Sequence, residues 1–122
     1  MQAIDNSYID TSKILNRVGD GILVLHQKYS GNFLMLKNYI TSFIQDYNNV
    51  KRLNGIKFYS IDDSHPLFDE LVETYQIKHS NALMVIRGRE VANVLNGPLR
   101  KYELQHQLDL LFHREFYSQC GI

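Results

Sequence analysis

Two unbroken apolar runs, Ile22-Leu23-Val24-Leu25 and Ala82-Leu83-Met84-Val85-Ile86, have the pattern of central strands buried on both faces. A third strand is predicted at Ile56-Lys57-Phe58-Tyr59-Ser60-Ile61, and a fourth at Val91–Leu95, joined to Ala82–Ile86 by the turn Arg87-Gly88-Arg89. Between them apolar residues recur at helical spacing. Ile14, Leu15 and Val18 mark a short helix over 11–18, capped by Thr11 or Ser12 and stopped by Gly19-Asp20-Gly21. Phe33, Leu36, Ile40, Phe43, Ile44 and Tyr47 mark a long helix running to about Asn48, with Asn54-Gly55 in the turn that follows. Leu67, Phe68, Leu71, Val72 and Tyr75 mark a third helix, with Ser64 as cap and Pro66 in its first turn. A closing helix opens at Gly97-Pro98 and turns Leu99, Leu104, Leu108 and Leu111 inward. The order is β-α-β-α-β-β-α, with a leading strand expected near Ile4–Ile9. It predicts an α/β sheet with helices on both faces.

The 122 residues suit one domain with a core that needs no disulfide or metal staple. Thirteen basic residues balance thirteen acidic ones, which argues against a nucleic-acid or anionic-membrane coat. The basic clusters Lys51-Arg52, Arg87/Arg89 and Arg100-Lys101 are scattered along the chain and read as solvated surface. No apolar run is long enough to span a bilayer, and the first ten residues lack the basic start and apolar core of a secretory signal. A single cysteine, Cys120, allows no intramolecular disulfide. A cytoplasmic location is expected.

Between the strand ending near Leu25 and the long helix the chain reads Tyr29-Ser30-Gly31-Asn32-Phe33. Together with Gly21-Ile22-Leu23-Val24, Ile61-Asp62, Tyr75-Gln76-Ile77-Lys78 and Gly97-x-Leu99-x-Lys101-x-x-Leu104, this resembles the thioredoxin family over nearly the whole chain. The resemblance implies a thioredoxin-like fold over residues 1–113, a central mixed sheet flanked by helices on both faces, followed by an extension of the last helix or tail at 114–122. It also implies that the redox machinery is gone. Ser30 and Phe33 stand where the family has its two cysteines, and Asn32 where it has the proline between them. Val24 stands where many members have a buried acid, and Asn81 where the family has its cis-proline. A non-proline cis bond costs about 2.5–4 kcal/mol, so a trans Ser80-Asn81 bond is expected. Disulfide exchange needs an attacking thiolate and a resolving thiol, and the slot holds neither.

The resemblance leaves the rim of the slot. Tyr29, Ser30, Gly31, Asn32, Leu34, Met35, His79 and Asn81 are the candidate binding residues, on the face where thioredoxins hold a peptide segment of their substrate. An apolar rim kept without cysteines reads as a protein-binding patch, for a partner or a second copy; leftover surface is the plainer alternative. Ser30 with His26 or His79 could instead serve as nucleophile and base, although Ser is also a preferred helix cap and no elbow or oxyanion motif accompanies it. No catalytic set and no cofactor is expected. His26, His65, His79, His106 and His113 have no cysteine or histidine cluster around them that would make a metal site. Cys120 has no evident activating neighbour. Phe112, Phe116 and Tyr117 extend an apolar face into the tail. The expected function is a non-catalytic protein-binding module (adaptor, assembly factor or chaperone-like), with an enzyme or small-molecule binder in the same cleft as the alternative.

Overall fold

The computed structural model describes residues 2–29, 31–51, 57–78 and 81–96, with Tyr102, Glu103, His106, Gln107 and Asp109. The elements are β1 (Gln2–Ala3), α1 (Thr11–Val18), β2 (Gly21–His26), α2 (Gly31–Lys51), β3 (Lys57–Asp62), α3 (Phe68–Thr74), β4 (Ala82–Arg87) and β5 (Glu90–Asn96). They build a five-stranded sheet in the order β1-β3-β2-β4-β5. β1, β3 and β2 run parallel, whereas β4 lies antiparallel to β2 and β5 antiparallel to β4. The five described residues between 102 and 109 are helical, as the closing-helix pattern predicts. Gly97-Pro98, Leu99, Leu104, Leu108, Leu111 and the 113/114 boundary with its tail (Phe116, Tyr117 and Cys120 included) lie outside the described residues.

β2 is buried along its whole length, which explains its unbroken apolar run. Leu23 and Leu25 face a core shared with Ile14 and Val18 of α1, Tyr59 and Ile61 of β3, Leu71 of α3, and Met84 and Ile86 of β4. Alternation sends Ile22, Val24 and His26 to the other face, where α2 lies and the His26 ring meets Phe33. At the start of β2 the strands come unusually close. A Cβ on Gly21 would stand 2.0 Å from the Lys57 carbonyl oxygen, so only glycine fits there. Gly19 and Asp20 bind this end together: Lys57 N donates to Asp20 O (3.2 Å), Arg89 N to Gly19 O (3.0 Å) and Gly88 N to Asp20 Oδ1 (2.7 Å).

Several boundaries differ from the sequence reading, each for a local reason. The leading strand is Gln2–Ala3, with Ile4 N bonded to Ser60 O at 2.7 Å, and does not extend to Ile9. It stops because Asp5 Oδ1 takes the Ser7 amide at 2.8 Å and turns the chain. The cap of α1 is Asp10, whose Oδ1 accepts from Ser12 N and Ser12 Oγ, and neither Thr11 nor Ser12 plays that part. Helix α3 begins at Phe68, and Ser64 is not its cap. The Ser64 amide and hydroxyl are both spent on Asp62 Oδ1. Buried His65 binds just ahead of the helix: its Nδ1 accepts from Leu67 N (3.0 Å), leaving the proton on Nε2, which donates to Asp5 O (2.9 Å). One imidazole thereby ties the start of α3 to the N-terminal segment.

Two outcomes follow from these contacts. Gly21→Ala should lower stability by about 3 kcal/mol or more, because backbone and not a flexible side chain blocks the new methyl; a urea melt within 1 kcal/mol of the parent would contradict the close approach. Asp5, Asp10 and Asp62 each have a pKa lowered below the ordinary 3.8, chiefly by hydrogen bonds from the serine two residues on. A carboxylate depressed in the folded state adds stability that is complete above its unfolded value and fades as pH falls through the folded one. The urea midpoint should therefore drop as pH is lowered below about 3.8, and the Asp10→Asn/Asp62→Asn variant should show a shallower acid limb.

Candidate functional site

The parallel strands β2 and β3 end side by side at His26 and Asp62, which are register partners. Clefts of α/β sheets open at such carboxyl ends. His26 is only 6% exposed. Its Nδ1 lies 2.9 Å from Gln27 O, and its ring is stacked face to face on Phe33 from the first turn of α2, with centroids 3.4 Å apart and planes 1° from parallel. The half-buried Phe33 side chain thus packs onto the end of β2 as the helical stripe predicts. Val24, one inward step along the same strand face, is fully buried.

Asp62 is half-buried beside this ring pair. Its pKa is held below the ordinary carboxylate range, first by the Ser64 hydroxyl and amide, then by the charges of His26 and Lys28, while partial burial works the other way. Asp63 Oδ1 accepts the Lys28 amide at 2.9 Å, which moors the loop after β2 to the end of β3. Neither tie was legible in the sequence; the Asp62-x-Ser64 spacing was the one available signal.

Outside the ring pair the surface is apolar. Tyr29 is 92% exposed, Met35 73% and Leu34 62%, so three of the large exposed hydrophobic residues fall within 29–35. Lys28 Nζ stands 5.8 Å from the Tyr29 ring centroid. Gly31 and Asn32 lie in the first turn of α2, and half-buried Asn81 directly precedes β4. Ser30, His79 and Ser80 lie outside the described residues, and with them the Ser30/His26/His79 constellation and the Ser80-Asn81 bond. Among the described residues no three metal-binding side chains converge, and no helix is long and apolar enough to cross a membrane.

Comparison with solved structures identifies the architecture. The chain is similar to thioredoxin from Trypanosoma brucei brucei (TM-score 0.68, 11% identity, covering 91% of this chain and 89% of that one). It is also similar to mitochondrial thioredoxin 3 from Saccharomyces cerevisiae in its oxidised form (0.67, 10%, 89% and 94%). A third likeness is to reduced desulfothioredoxin from Desulfovibrio vulgaris Hildenborough (0.66, 18%, 88% and 94%). No protein-family model and no curated protein matches the sequence. The chain has a thioredoxin-like fold, a mixed five-stranded α/β sheet with helices.

Phe33→Ala should cost about 2 kcal/mol, below the usual range for a fully buried phenylalanine because this one is half-buried. It should also increase the solvent exposure of His26, read as faster exchange of its ring protons by NMR. An unchanged melt and unchanged His26 signals would contradict the stack.

Proposed function

We propose that this protein is a non-catalytic thioredoxin-like module that binds a protein partner through the face formed by Tyr29, Ser30, Gly31, Asn32, Leu34, Met35, His79 and Asn81. The observation that carries the reading is the exposure of Tyr29, Leu34 and Met35 beside a strand end filled by the Phe33–His26 stack. Large apolar side chains held on a helix start and a moored loop are arranged for contact, since each exposes surface whose removal from water favours association. The chemistry of the slot points the same way. Ser30 and Phe33 offer no thiolate and no resolving thiol, and Cys120 is the chain's one sulfhydryl. Disulfide exchange is therefore not the activity of this slot; turnover in an insulin-reduction assay that survives Cys120→Ser would overturn this part.

The binding reading is tested by charge insertion. Met35→Glu or Tyr29→Glu should reduce partner capture or self-association at least about tenfold, because an unpaired carboxylate buried in an interface costs several kcal/mol. At these exposed positions the same changes should shift folding stability by less than about 0.5 kcal/mol. A large fall in Tm would show that the residues belong to the core. Association that persists with folding intact would place the contact elsewhere, Phe116 and Tyr117 of the tail being the next positions to change.

A further inference from the structure

The end of the sheet opposite the slot gathers cations that lie far apart in sequence. Lys57 is the register partner of Gly21 on one side, and Ile86 is its partner on the other, with Arg87 one residue further along β4. Neighbouring strands are about 4.8 Å apart, so these positions share a rim roughly 10 Å wide. Arg89 sits at the tip of the β4–β5 turn, held to the same rim by its amide bond to Gly19 O. Arg17 stands in the last turn of α1, four residues before Gly21, its guanidinium carbon 5.8 Å from the Tyr59 ring centroid. Arg17, Lys57 and Arg89 are exposed and Arg87 half-buried. Among the described residues no carboxylate pairs with any of the four. The nearby acids are Asp20, which already accepts from Gly88 N, and Glu90, across from Arg87. The overall charge balance hides this segregation, because exposed Asp63, Asp69, Glu70 and Glu73 lie at the end of β3 and on α3.

The turn adds an independent observation. Gly88 and Arg89 form a two-residue hairpin loop with φ of 57° and 66°, the geometry of a type I′ turn. Its second position favours glycine, and arginine, which carries a Cβ, is strained there. A non-glycine residue held at positive φ, with only its amide tied down, to Gly19 O, marks a position where function can outweigh stability.

We infer that this rim is a docking surface for an acidic segment of a protein. Guanidinium groups pair with carboxylates in a fork geometry that a point charge cannot match, and three of the four cations are arginines. A patch roughly 10 Å wide suits a few neighbouring carboxylates. A chain without net charge, carrying exposed acids on α3, lacks the extended positive field that a nucleic-acid duplex or an anionic membrane requires.

Fluorescence anisotropy on the full chain at low salt, with a labelled poly-glutamate peptide, tests the assignment. The peptide should bind, and more weakly as salt rises. Arg87→Glu/Arg89→Glu should weaken binding at least about tenfold, whereas Lys37→Glu/Lys78→Glu, the same change in net charge at exposed positions elsewhere, should weaken it less than about twofold. Arg89→Gly guards against a merely misfolded variant: it relieves the backbone strain, so Tm should hold or rise while affinity falls several-fold. Absence of peptide binding, equal loss in both double variants, unaltered affinity in Arg89→Gly, or tighter binding of oligo(dT) or phosphatidylserine vesicles than of the peptide would each overturn the inference.

Discussion

The rest of the molecule depends on β2, a strand walled in on every side. β3 and β4 flank it, α1 and α3 cover one face, and α2 lies on the other. All six of its residues are buried, so its backbone has no partner but its neighbours and its side chains have no medium but the core. Its two ends set the two poles of the protein. At Gly21 the approach of Lys57 leaves no room for a Cβ, and the Gly19-Asp20 pair fastens β3 and the β4–β5 turn to that point. At His26 the strand emerges beneath the start of α2, where Phe33 lies flat on the imidazole.

The parts of the fold that were legible in the sequence are those where burial writes a local pattern. Ile22–Leu25 and Ala82–Ile86 read as strands because both of their faces are inside, and α1 keeps its predicted span because Ile14 and Val18 repeat at one turn. What was missed depends on side chains acting across the chain. Ser64 has the look of a helix cap, but Asp62 claims both of its polar groups, and it is the neighbouring His65 that takes the Leu67 amide just ahead of the helix. The leading strand ends earlier than expected because Asp5 turns the chain just after Ile4. The basic rim joins residues from α1, β3, β4 and a turn, so along the chain it looked like scattered surface charge.

The slot shows the same division. Leu34 and Met35 were identifiable because they fall off the buried stripe of α2, and their exposure follows from that phase; Tyr29 lies in the loop just before the helix. The mate of Phe33 was not identifiable, since nothing in a strand-end histidine and a helix-stripe phenylalanine announces that they meet. The resulting site differs in kind from a dithiol centre. Two planar rings occupy the junction of strand and helix, and the polar groups around them are tied: Asp62 to Ser64, Asp63 to the Lys28 amide, His26 to Gln27. The apolar rim thus lies over polar groups that are engaged with their own neighbours.

That central contrast, rings closed inside and apolar side chains open outside, can be observed in one NMR experiment on the native chain. With a soluble paramagnetic agent added, the Met35 methyl and Tyr29 ring signals should broaden strongly, while the His26 and Phe33 rings stay sharp and show cross-relaxation with each other. A protected Met35 methyl, or Phe33 broadened as strongly as Tyr29 and lacking cross-relaxation to His26, would contradict the account.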